Sequence, residues 1–137
     1  PPFCKFVVDV RDAAHPLTKG VPASFEVEDE PYFVELQHPA SSRILLTAEY
    51  GTRAVSDVVT KLYPSDTSLQ PDGKTRVLGY TRTLGKGAVT YFALGHCHNP
   101  ASREGRPVGT DQPVVRGAWE SAAFDTLLRN AISYTPA

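Results

Sequence analysis

At 137 residues, with 41% apolar and 21% charged residues, the chain has room for one domain with a real hydrophobic core. Its 14 basic and 15 acidic residues leave a net charge of −1 with no long run of like charge. That argues against nucleic acid and against an anionic membrane as partners, since both need concentrated Lys or Arg. No apolar run approaches a membrane span, and no signal peptide is visible. The chain opens Pro1-Pro2-Phe3, which reads as the interior of a longer protein. Cys4 and Cys97 are too few for a disulfide framework. They leave the redox compartment and the localisation open, with the cytoplasm favoured.

Phe6 to Val10 is short and β-branched and reads as a strand. His15-Pro16-Leu17-Thr18-Lys19-Gly20 follows, with His15 held extended by Pro16 and a turn at Gly20. Phe25 to Glu28 alternates apolar and charged residues, as a half-exposed strand does. Pro31, in Asp29-Glu30-Pro31-Tyr32, confines this part to a sheet edge or a strand end. Phe33 to Leu36 resumes extended structure, and Arg43 to Ala48 is a strand of buried type. Val55 to Tyr63 fits a helix or a strand equally, and Pro64 to Lys74 is a loop by composition.

Thr75 to Thr83 pairs with Ala88 to Leu94 as a hairpin. Gly85 and Gly87 flank Lys86 and supply the positive φ values of a tight turn. Ala88 to Leu94 reads as a strand buried on both faces, with His96 just past its carboxyl end, where open α/β sheets gather ligands. Asn99 to Gly117 is a long Pro/Gly-rich loop, either a solvated insertion or a lid. Trp119, Ala123, Phe124, Leu127, Leu128, Ala131 and Ile132 form one apolar stripe, so the chain closes on a helix stopped by Pro136 that covers one sheet face. Glu120 and Arg129 suit its two ends.

Four pieces taken in order resemble the C-terminal portion of ThuA-like domains, named for trehalose utilisation. They are residues 15–20, the Asp-Glu-Pro-Tyr segment at 29–32, the hairpin ending in Gly95-His96, and Leu127-Leu128-Arg129-Asn130-Ala131-Ile132. Together they span most of residues 3–135, which makes the whole chain, 1–137, a single and incomplete domain of this kind. The resemblance implies an α/β fold like the class I glutamine amidotransferases. That fold is a flavodoxin-like three-layer sandwich with a mostly parallel sheet, of which this chain carries the C-terminal part with a β-hairpin and a terminal helix. It also implies that a preceding segment, or a second copy in a homo-oligomer, covers the exposed sheet. Pro31 stands where the family pattern has an aliphatic residue, and the 99–117 loop is longer than the pattern.

The candidate site follows from that resemblance. His96 is the leading residue, as general acid/base or as a hydrogen-bond donor to a sugar. Among Asp29, Glu30 and Tyr32, Glu30 and Tyr32 share a side, so Glu30 is the candidate carboxylate and Tyr32 a binding residue, with Asp29 beside them. His98, two residues beyond His96, is a further substrate-binding candidate; the pair could share a metal, but no carboxylate accompanies them, so no metal and no cofactor is expected. Cys97 resembles a glutamine amidotransferase elbow without its second glycine, and a Glu is missing after His96. Trp119 is a sugar-stacking candidate or a core anchor. The expected function is a protein of carbohydrate utilisation, binding or converting a small sugar such as trehalose or a keto-disaccharide. Two alternatives stand beside it. One is a non-catalytic binding or scaffold module. The other is a glutamine amidotransferase whose Cys lies in a preceding segment.

Overall fold

The computed structural model describes residues 4–32, 34–49, 67–97, 114 and 116–136. Five strands form one sheet: β1 (Cys4–Val10), β2 (Ser24–Asp29), β3 (Arg43–Glu49), β4 (Thr75–Leu84) and β5 (Gly87–Phe92). Their spatial order is β2-β1-β3-β4-β5. A single α-helix, α1 (Ala122–Ser133), closes the described chain.

All pairings within this sheet are antiparallel. The mostly parallel sheet expected from the family resemblance is therefore not the sheet of the described residues. A parallel pair needs a crossover of a dozen or more residues. Here β4 and β5 are joined by the two residues Gly85 and Lys86, since Leu84 pairs with Gly87. β1 and β2 are joined through a 3₁₀ turn at Pro16–Thr18.

β5 corrects a second expectation. Among the described residues it is the edge strand of the sheet, and Gly87 to Phe92 is exposed or half-buried throughout. The apolar run read as doubly buried owes its depth to Ala93 and Leu94, which are buried only after the strand ends. β3 is the strand buried on both faces, with Leu45, Leu46, Thr47 and Ala48 all inaccessible. At the hairpin tip only Gly85 has a positive φ; Gly87 already belongs to β5.

The core sits between one face of the sheet and α1. Phe6 and Val8 of β1 and Val27 of β2 follow the period of two, and Leu46, Ala48 and Leu78 continue the layer. Phe124 and Leu127 close it from the helix, and Leu127 is fully buried. Burying one such leucine is worth about 1.5–3 kcal/mol. The helix is shorter than its apolar stripe. Gly117–Glu120 forms a separate 3₁₀ turn that holds Trp119 and Glu120, and Ile132 at the far end is 87% exposed. Arg129 pairs with Asp125 one turn earlier at 2.7 Å rather than serving the helix end alone. The helix ends at Ser133, ahead of Pro136.

The His15 segment is the second anchor of the helix. His15 Nδ1 accepts from the Leu17 N–H at 3.1 Å and so caps the 3₁₀ turn. Thr18 Oγ1 donates to the carbonyls of Asp12 and His15. Asn130 Nδ2 on α1 then donates to the Leu17 and Lys19 carbonyls, at 3.1 and 2.9 Å. A polar side chain on the helix thus satisfies the backbone of the turn beneath it. Val55 to Tyr63 and most of the 99–117 loop, with its lid reading, lie outside the described residues.

Candidate functional site

β2 ends at Asp29, and the alternation that buries Val27 buries Asp29 two residues later. Its carboxylate is wholly inaccessible. Oδ1 accepts from the N–H of Glu30 at 2.7 Å and of His96 at 3.1 Å. Oδ2 accepts from the N–H of Gly95 at 2.7 Å and of Ala118 at 3.2 Å. One side chain therefore ties together the end of β2, the segment after β5 and the turn before α1. Buried charge is tolerable only when its lone pairs are met, and here both oxygens receive two donors.

Two glycines make this junction possible. Gly95 has φ +103°, and a Cβ there would lie 3.1 Å from the Phe124 ring. Gly117 has φ +57°, and a Cβ there would lie 2.7 Å from the His96 carbonyl oxygen and 3.0 Å from that of Glu28. Both positions demand a conformation and a clearance that only glycine supplies. Trp119 secures the same segment: its Nε1–H donates to the Gly95 carbonyl at 2.7 Å, and its ring meets Phe124 edge-on. Trp119 is still 53% exposed, so it anchors with its N–H and leaves ring surface to solvent.

On this base stand two rings. Tyr32 and His96 stack with centroids 4.1 Å apart and planes within 9° of parallel. Tyr32 is 42% exposed. His96 Nδ1 lies 3.7 Å from Asp29 Oδ1, beyond hydrogen-bond distance, and has no hydrogen-bond partner among the described residues. The arrangement presents a flat aromatic surface beside an imidazole that is 36% exposed, with its Nδ1 turned inward toward Asp29.

The sequence brings His96, Tyr32, Asp29 and Trp119 to one place, but their roles divide differently than expected. Asp29 is the buried support, out of reach of a substrate. Glu30 is half-buried next to it and gives its N–H to Asp29. His98 lies outside the described residues, as does any pairing between it and His96. Cys97 is exposed, and its sulfur lies 4.0 Å from the Arg116 carbonyl oxygen. Among the described residues no three His, Cys, Asp or Glu side chains converge as a metal site. Gly117 and Ala118 are the residues that sequence reasoning missed. The signal for Asp29 was present: it stands in register with Phe25 and Val27 on the inward face of β2.

The comparisons with known proteins bear on the same segments. A family model described as ThuA, trehalose utilisation, matches residues 1–105 of the chain. The chain belongs to the ThuA family. The matched region takes in the His15 turn, the Asp29–Tyr32 segment and the hairpin with Gly95-His96, while α1 lies beyond it. No curated protein and no solved structure matches the chain.

Proposed function

We propose that this ThuA-family protein acts in trehalose-related carbohydrate utilisation by binding a small sugar on the Tyr32–His96 surface. The observation that carries the reading is the stacked pair itself, each member partly exposed, on a backbone fixed by the fully paired Asp29 carboxylate. The apolar face of a pyranose packs against an aromatic ring, and a sugar hydroxyl is a natural partner for the exposed part of the His96 imidazole, whose Nδ1 faces inward toward Asp29. Glu30 is the carboxylate nearest in sequence to this surface and takes the second polar role. Trp119 offers further ring surface next to Gly95. Within this reading His96 serves as hydrogen-bond donor or as general acid/base on a keto-disaccharide. The whole domain is then of the glutamine amidotransferase-like kind, with the described antiparallel sheet and α1 as one part of it.

A binding role without catalysis is the second reading. It is favoured by the absence, among the described residues, of a side chain hydrogen-bonded to His96 Nδ1 that would orient it for proton transfer.

Calorimetric titration with trehalose and a keto-disaccharide tests both readings. Tyr32→Ala and His96→Ala are each expected to weaken binding about five- to tenfold, the scale of one lost stacking contact or hydrogen bond. Chromatography of the sugar after incubation separates conversion from binding. No heat with any sugar, or heat unaffected by either substitution, removes the proposal.

A further inference from the structure

A second concavity lies away from the Asp29 junction and shares no lining residue with it. It has a volume of about 320 Å³ and is lined by Glu35, Gln37, His38, Ser42, Tyr80 and Arg82, together with the buried Leu36. That size suits a small ligand. Its two walls are built by different means. Tyr80 and Arg82 are alternate residues of β4 and so stand on one face of the sheet, with Tyr80 steadied by Tyr91 across the strand pair at 5.7 Å. The opposite wall precedes the 3₁₀ turn at Pro39–Ser41. It is held by Ser42 Oγ donating to the His38 carbonyl at 2.8 Å, and by buried Leu36, whose N–H donates to Thr67 Oγ1.

Arg82 is the feature without an internal purpose. Its Nε is buried and has no hydrogen-bond partner among the described residues. Glu35 lines the same cavity, yet no ion pair joins the two. Nε itself is shut off from solvent, but the half-buried Arg82 side chain lines the opening and Glu35 does not neutralise it, so its charge is open to an anionic partner. Guanidinium recognises a planar carboxylate through paired N–H donors. The rest of the lining, a carboxylate, an amide, a hydroxyl and a phenol, recognises hydroxyl groups.

We propose that this cavity is a second binding site, taking a polyhydroxylated carboxylate, a sugar acid, with its carboxylate on Arg82 and its hydroxyls on Glu35, Gln37 and Tyr80. Glu35 sets the selectivity, because it repels a compact dianion while accepting hydroxyl donors.

The test is titration of the full chain with gluconate, using glucose and inorganic phosphate as comparison ligands. The expected result is gluconate binding at least tenfold tighter than either comparison ligand. Arg82→Gln and Tyr80→Phe should each weaken it about tenfold or more, while His96→Ala leaves it unchanged. Arg82→Lys keeps the charge and loses the planar fork, so it should also weaken binding, with circular dichroism confirming that each variant is folded. Absence of gluconate binding overturns the proposal. So does phosphate binding as tight as gluconate, or gluconate binding that survives both Arg82→Gln and Tyr80→Phe.

Discussion

His15 and His96 each follow the end of a strand, and each lies within the region that the ThuA family model matches, yet their surroundings differ sharply. His15 is buried, its Nδ1 is committed to the Leu17 N–H, and its ring lies 5.4 Å from that of Tyr134. His96 keeps 36% of its side chain exposed; its Nδ1 is turned inward with no hydrogen-bond partner among the described residues, and its backbone N–H is held by Asp29. The polar capacity of the first is absorbed by folding. The second keeps part of its ring at the surface, while the Asp29 carboxylate holds the backbone beneath it. A histidine within the matched region is therefore not by itself a site candidate; the difference lies in its burial and in what its Nδ1 already holds.

Substitutions sharpen that contrast in order of size. The largest effect is expected at Asp29. Asp29→Ala strips the partner from four backbone donors and should cost about 3–5 kcal/mol in urea unfolding. Asp29→Asn should recover only part of it, because an amide NH₂ faces N–H groups. Gly117→Ala comes next, at about 2 kcal/mol or more. It forces a Cβ against the His96 and Glu28 carbonyls at a positive φ, and the same denaturation curve reads it. Asn130→Ala removes two hydrogen bonds from the His15 turn and should cost about 1–2 kcal/mol. His96→Ala should change stability by about 1 kcal/mol or less while weakening sugar binding. A large loss of stability there would break the distinction between the two histidines.

The smallest effect is in pH. Burial is the main cause that lowers the His15 pKa below its usual 6.5, the Arg43 charge adds to it, and Asp12 opposes. The unfolded chain then takes up the proton first, so stability is full above pH 6.5 and declines as pH falls below it. His15→Gln should flatten that limb of a plot of Tm against pH. Asp72 gives a separate acid limb. Hydrogen bonds from Thr75 and Lys74 hold it down to about 2, so its contribution is present above pH 3.8 and is lost as pH falls toward 2.

Much of the frame is legible in residue patterns. All five strands start and end within about two residues of the segments that announce them, and the Gly85-Lys86 turn fixes the hairpin. What the patterns do not carry is strand direction and depth. Ala88 to Leu94 is apolar enough for a central strand, and only its single neighbour in the sheet makes β5 an edge. The site shows the same limit. Glu30 and Tyr32 attract notice as polar residues, whereas Asp29 does its work through Gly95, His96 and Ala118, which lie 66 or more positions away in sequence. No local spacing encodes a carboxylate that ties three distant backbones. The need for glycine at 117 likewise exists only once the β2 end and the His96 carbonyl are in place.

The most direct measurement is an NMR titration of the imidazole resonances of the ¹⁵N-labelled chain with trehalose and a keto-disaccharide. The account predicts that the His96 signals move in a saturable way while the His15 signals stay in place. Movement of His15 with His96 unchanged, or no movement of either at saturating sugar, would contradict it.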